Sequence, residues 1–195
     1  PMSIELRIVT IKSQLKEYIF LPEKLYAAYP NWVPPVYIDE WAFHNPEKNR
    51  ALSTAEVIRV IAYQYNKPVG RVMGILNKKY NEQHGLKNVS FFNLDCRDDS
   101  NIAHALIAYI EQWGKEKGMT KIIGPFGFSD KDPQGLQIEG FEYLPVIVTP
   151  TNPAYLQPLV EAEGYQKEVD CVSYKLAVPE TMPPVYEKIA DRILR

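Results

Sequence analysis

Val89-Ser-Phe-Phe-Asn-Leu-Asp95, followed by Cys96-Arg-Asp-Asp-Ser-Asn101 and the run Ile102 to Lys117, decides how this chain is read. The first segment has the apolar, aromatic make-up of a strand, and the last is an amphipathic helix closed by Gly118. A short polar turn joins them directly. Such a junction leaves backbone N–H groups free at a helix N-terminus, a natural place to hold a phosphate. This turn has no glycine, however, and it carries Asp98 and Asp99.

Working outward, Ile4 to Thr10 alternates apolar and polar residues as a half-buried strand does. Thr10 then reads as the cap of a helix whose apolar face is Ile11, Leu15, Tyr18 and Ile19. Pro22 predicts a break, with a second helical piece over Glu23 to Tyr29. Pro30 to Pro35 is a stiff connector, Val36 to Phe43 a short helix, and His44 to Ser53 a loop. Glu56 to Tyr65 and Pro68 to Leu76 form a hairpin turning at Asn66-Lys67, with Gly70 and Gly74 marking a bulge or a close backbone approach. Asn77 to Lys87 is a polar, partly helical connection, and Lys121 to Gly124 a short strand. Pro125 to Glu142 is a long aperiodic loop, and loops of that length are usually functional. Tyr143 to Val148 reads as extended, Ala154 to Glu163 as a helix, and Tyr165 to Val178 as a strand pair or one long strand.

Hydrophobic residues make up 46% of the 195, enough for one substantial core. The balance of 22 basic and 24 acidic residues, without a run of either sign, argues against nucleic-acid binding. No apolar run reaches membrane-spanning length and no signal layout is present, so a soluble, cytoplasmic protein with no membrane partner is expected. Cys96 and Cys171 are too far apart to suggest a disulfide framework or a zinc site, and His44, His84 and His104 lack ligand spacing, so no metal is expected. The 12% aromatic share suits a packed α/β core or an aromatic-lined cleft.

The predicted order β-α-α-β-β-β-α-β-α-β, an α/β (α+β) arrangement on a mixed sheet, resembles the GNAT superfamily of acyl-CoA N-acyltransferases over Ile4 to Val178. More narrowly it is similar to a bacterial group of GNAT-like proteins of uncharacterised function. The shared words are Leu21-Pro22-x-x-Leu25-Tyr26, Pro30-Asn31-Trp32-Val33-Pro34-Pro35, Val69-Gly70-Arg71-Val72, Asp98-Asp99, Gly124-Pro125 and Gly135 to Phe141. The resemblance implies a GNAT-like domain over residues 1–178. Residues 179–195 then read as a Pro-rich linker and the start of a helix leading to a further region; Tyr186, Ile189, Ala190 and Ile193 share its apolar face.

In that superfamily one strand splays from its neighbour, and acetyl-CoA or another acyl-CoA lays its pantetheine arm in the gap. A turn of the form Arg/Gln-x-x-Gly-x-Gly/Ala holds the pyrophosphate. The resemblance therefore implies cofactor contacts from Asn93, Leu94 and Asp95 on the strand and Arg97, Ser100, Asn101 and Ile102 at the turn. Only Arg97 keeps the motif; Ser100 and Ile102 replace small residues, and Asp98 and Asp99 serve equally as helix-capping acids. A second mark, Leu-Tyr-x-x-x-Gly-Phe, aligns with Leu159 to Tyr165 and puts Val160 where the thiolate-protonating tyrosine stands. Tyr155 is the nearest substitute.

Candidates for a general base are Glu56, Asp95 and His44, each of which also has an ordinary role in capping or loop hydrogen bonding. Trp32, His44, Phe126, Phe128 and Ser129 are candidates for the substrate pocket, the last three because their loop follows a strand end. Three functions follow: an N-acyltransferase acting on a small-molecule amine, a non-catalytic GNAT-like domain that binds a small molecule or supports a C-terminal partner region, or a scaffold whose Trp32, Tyr37 and Trp41 contact a partner or a second copy.

Overall fold

The computed structural model of the protein describes residues 3–146 and 149–194. The chain divides into two units, Pro1–Tyr165 and Gln166–Arg195. In the first, β1 (Glu5–Ile8) leads to α1 (Lys12–Leu25), α2 (Tyr37–Phe43) and a 3₁₀ turn (Arg50–Ser53). The hairpin β2 (Ala55–Gln64) and β3 (Lys67–Asn77) follows, then α3 (Lys78–His84), β4 (Asn88–Cys96), α4 (Ser100–Glu116), β5 (Lys121–Ile123) and α5 (Leu156–Ala162). The strands lie in the order β1-β2-β3-β4-β5, antiparallel through β4 and parallel between β4 and β5. This is the mixed α+β sheet expected from the sequence.

Strand alternation gives the sheet two buried faces. Val60, Ala62, Val72, Phe91 and Leu94 pack with Ile102, Leu106 and Ile110 of α4. Ile61, Met73 and Ile75 pack with Tyr18, Ile19 and Leu21 of α1. Gly70 is required where α4 presses closest. A Cβ there would stand 2.8 Å from Leu106 Cδ1 and 2.9 Å from Cys96 Cβ.

Three expectations are corrected. First, Pro22 does not end α1; the helix runs through it to Leu25. The Tyr18 carbonyl that Pro22 cannot serve instead accepts a hydrogen bond from Arg71 Nη1 at 2.8 Å. Second, the hairpin turns at Tyr65-Asn66, with φ of 50° and 60°. Two positive φ values match the twist of the flanking strands better than Asn66-Lys67 would. Third, residues 165–178 contain no strand. Val172, Tyr174, Leu176 and Val178 alternate as a strand would but are exposed, and alternation alone does not supply the paired strand that backbone hydrogen bonds require. Residues 143–146 are likewise not in a strand, and the rest of that predicted piece, 147 and 148, lies outside the described residues.

The second unit holds α6 (Pro184–Ile193), whose Tyr186, Ile189 and Ile193 are exposed. Among the described residues no helix is long and apolar enough to cross a membrane.

Gly70→Ala is expected to lower the unfolding free energy by about 1–3 kcal/mol, because Leu106 and Cys96 are themselves fully buried. Urea denaturation measures this; an unchanged midpoint would contradict the close packing of β3 on α4.

Candidate functional site

Strands β4 and β5 pair only from Asn88–Lys121 to Ser90–Ile123. Gly124 lets the chain leaving β5 lie against Phe91, since a Cβ there would overlap the Phe91 carbonyl and ring. The Phe126 N–H donates to the Phe91 carbonyl at 2.9 Å, and the strands then part. Further along, the Tyr155 hydroxyl donates to the Cys96 carbonyl at 2.6 Å. Between these two bonds the outer edge of β4 has no strand partner among the described residues, and Asn93, Leu94 and Asp95 lie on this stretch.

A bulge interrupts β4 at the same place. Phe92 pairs with Met73 and Asp95 with Arg71, so Asn93 and Leu94 together oppose Val72. Asn93 has φ 49°, a left-handed conformation that asparagine tolerates. The extra residue reverses the alternation: Leu94 and Cys96 turn to the α4 face, and Asp95 turns to the α1 face. There Asp95 accepts from Arg71 Nε at 2.8 Å and from the Tyr26 hydroxyl at 2.9 Å. Arg71 also lies 4.9 Å from the centre of the Tyr18 ring. Burial pulls its guanidinium toward neutrality, but Asp95, Tyr18 and Glu40 hold it charged.

Glu40 on α2 belongs to this cluster. Its carboxyl is raised above the usual range by burial, against an opposing pull from Arg71. His44, just past α2, is buried and accepts from Arg59 Nε at 2.9 Å through Nδ1. Burial, Arg59 and Arg71 push its pKa down to about 3, so the ring is neutral with its proton on Nε2. That Nε2 is buried without a hydrogen-bond partner among the described residues, and the Tyr18 hydroxyl is buried beside the Asn93 side chain.

The turn after β4 holds the remaining cofactor candidates. Asp99 caps α4, its Oδ1 accepting from the Asn101 N–H at 2.9 Å and from Asn101 Nδ2 at 3.1 Å. Arg97 and Ser100 are exposed, whereas Ile102 is fully buried against the position of Gly70. The large side chain at Ile102 therefore fills the α4 core and does not cover the turn. Cys96 is buried too, its thiol pushed up to about 12 by burial and by the nearby Asp95, Asp98 and Asp99.

The other sequence candidates separate. Glu56 lies at the start of β2, opposite Leu76, paired with Lys78 at 3.0 Å and with Lys117. These lysines hold its carboxyl below the usual range, and its position is well down the sheet from Asp95. Tyr155 is at the cleft, and burial holds its proton firmly. Phe128 packs 5.1 Å from Phe43, and the N–H groups of Phe128 and Ser129 donate to Asp132 Oδ2 at 2.7 and 3.1 Å. Trp32 stands 6.1 Å from the Tyr26 ring. Tyr18, Tyr26, Glu40, Arg59 and Arg71 were not named as site residues from sequence, although Tyr26 and Arg71 stand in the words shared with the GNAT-like group. The available signal was two arginines, Arg59 and Arg71, at inward positions of apolar strands.

No protein-family model matches the chain. It is 28% identical over 191 residues to a bacterial ceramide synthase of Caulobacter vibrioides, covering 96% of this chain and 50% of that protein. It is 30% identical over 183 residues to the protein YghO of Escherichia coli, covering 93% and 47%. The chain thus spans about half the length of the curated relatives it matches. Among solved structures, an aminoglycoside N-acetyltransferase in complex with CoA superposes with a TM-score of 0.51 at 16% identity, over 91% of this chain and 97% of that one. An acetyltransferase of Trypanosoma brucei gives 0.51 at 17% identity, over 89% and 100%.

Two expectations follow from the buried cluster. Asp95→Ala leaves the buried Arg71 charge unpaired and should cost about 3–5 kcal/mol, while the double change Arg71→Met with Asp95→Leu should recover most of it. Equal losses in single and double variants, by denaturant titration, would contradict the pairing. His44 has its folded pKa depressed below the unfolded value of 6.5, so the unfolded chain binds the extra proton. Stability is full above about pH 7 and falls as pH drops from 6.5 toward 3, by up to about 1.4 kcal/mol per pH unit. His44→Asn keeps an acceptor for Arg59 without titrating, and should flatten that acid limb in pH-dependent unfolding.

Proposed function

From its GNAT fold, we propose that this chain is an acyl-CoA-dependent N-acyltransferase acting on a primary amine. The observation that carries the reading is the free edge of β4 between the parted strands, running toward the turn at Arg97. Unpaired peptide groups on such an edge hydrogen-bond an extended chain laid along it, which suits the amide-bearing arm of CoA. Arg97, exposed at the end of that edge, suits a phosphate. The likeness to a ceramide synthase supports a lipid amine as acceptor, ceramide being an N-acylated lipid.

In the reaction the amine nitrogen bonds to the thioester carbon, the carbon–sulfur bond breaks, and one proton passes from nitrogen to base while sulfur gains one. Glu40 suits the base: its carboxyl is raised by burial and engages no hydrogen-bond partner among the described residues. Tyr155 suits the proton donor, since it keeps its proton and sits on the β4 edge. Arg71 and Asp95 position the cluster and do not touch the reacting atoms in this reading. Asp95, already accepting two hydrogen bonds, is poorly suited as a base.

A second reading, a domain that binds an acyl-CoA without transferring its acyl group, is favoured by Val160. That residue is buried in the α4-side core and carries no hydroxyl.

Acetyl-CoA at about a hundred times its Kd should stabilise the chain by about 2.7 kcal/mol and raise the unfolding midpoint by roughly 5–10 °C. Glu40→Gln should keep that shift and lower kcat about 10²–10⁴-fold. In the parent chain the acid limb of kcat/KM should lie above the usual carboxylate range. No shift with any acyl-CoA would remove the transferase reading, and a shift without thiol release across an amine panel would leave the binding reading.

A further inference from the structure

Beside the C-terminal end of β4, the segment linking α1 to α2 and the loop preceding α5 line a half-open pocket of about 160 Å³. Tyr26, Tyr29, Trp32, Phe141 and Pro153 form most of its wall. Four polar side chains of the lining, those of Tyr26, Asn31, Gln137 and Asn152, are engaged elsewhere. Tyr26 donates its hydroxyl to Asp95. Asn31 donates to the Phe141 carbonyl at 2.8 Å, and Asn152 exchanges hydrogen bonds with the Gln137 backbone at 2.7 and 3.2 Å. The Gln137 amide donates to the Glu139 carbonyl at 3.1 Å. The Asn31 bond ties the two segments together, the Asn152 pair closes the loop preceding α5 on itself, and the remaining wall is mainly ring faces and proline carbons.

The pocket opens to solvent past the exposed Tyr29 and Tyr143, and its volume matches the roughly 150 Å³ of apolar space that takes a six-carbon group. The cavity is too small for a complete ligand, which typically needs about 300 Å³ or more. It also adjoins the cleft: the Tyr29 ring lies 6.4 Å from that of Tyr155, whose hydroxyl is on the β4 edge.

The geometry points to a hydrocarbon-chain subsite in this cavity, taking roughly six carbons of an unbranched aliphatic chain on one of the two reaction partners. The assignment deepens the acyl-transfer reading and rests on it for the identity of those partners. The chain comes either from the acyl group of the donor or from the tail of the amine. The cavity sets a preference for long-chain over acetyl or short-amine substrates.

Calorimetric titration of the full chain with saturated acyl-CoAs, from acetyl to palmitoyl, and separately with linear primary amines of the same range, tests this. Affinity should rise up to about fourfold per methylene in one series and level off after roughly six carbons. A rise with acyl-CoAs identifies the donor chain, and a rise with amines the acceptor tail. Thr151 lines the cavity and is only partly buried, so Thr151→Phe should abolish the chain-length gain while leaving acetyl-CoA binding unchanged. The series in the parent chain needs no variant and decides the matter if that substitution disturbs folding. Flat affinity in both series, with acetyl-CoA bound, overturns the subsite and spares the transferase reading. Absence of binding by every CoA thioester defeats the transferase reading instead, while the amine series still decides the cavity.

Discussion

Arg71 is the constraint around which one side of this molecule is organised. A guanidinium in the interior is tolerated only when its charge and donors are met. Here β4 supplies the Asp95 carboxylate, and α1 supplies both the Tyr18 carbonyl and the Tyr18 ring. Each partner exists because of a local irregularity. The carbonyl is free because Pro22 has no N–H to give it. The carboxylate faces inward because the Asn93 bulge shifts the alternation of β4 by one residue. A helix with a proline inside and a strand with a residue in the left-handed region are both mildly strained, and both strains converge on the same cation.

The two faces of the sheet differ accordingly. The α4 face is apolar and close-packed, with Gly70 removing the side chain where helix and strand meet. The α1 face buries a cluster of tyrosines, arginines, a histidine and carboxylates, which packs less simply but fixes directions. Tyr26 shows the consequence: its hydroxyl is held by Asp95, so its ring is held as a wall of the aromatic cavity. The same bond that satisfies a buried carboxylate shapes a binding surface.

Where sequence pattern and tertiary demand coincide, the fold was legible. The strand and helix around Asp95–Cys96 were read within a residue or two, because periodicity is strong there and Asp99 is a good cap. The close approach at Gly70 and Gly74 was likewise readable from glycine in a strand. Pro22 misled because the group that replaces its missing hydrogen bond comes from Arg71, far away in sequence. The segment 165–178 misled because alternation measures the fitness of a strand and not the presence of a neighbour. The site was less legible still. The carboxylates proposed from sequence were chosen by residue type near strand ends, so the surface pair of Glu56 with its lysines was indistinguishable from a buried one. Whether Asp95 faced α1 or α4 depended on the bulge, which no spacing rule reveals.

The departures at the cofactor turn carry less weight than residue types suggest. A motif glycine matters where a Cβ would stand between backbone and phosphate. Ile102 points into the core, so its bulk says little about access to the turn. The more demanding question is the acid. Val160 cannot protonate a thiolate, and Tyr155, on the acyl-transfer reading, is an unusually reluctant phenol because burial favours its neutral form. Proton transfer depends on the match between donor and acceptor, not on the donor alone. The thiol of Cys96, next to Asp95, is itself pushed up to about 12 by burial and acidic neighbours. That thiol packs in the α4-side core, so it reports what burial beside carboxylates does to an acid on this strand: it favours the protonated form, as it does for the Tyr155 phenol.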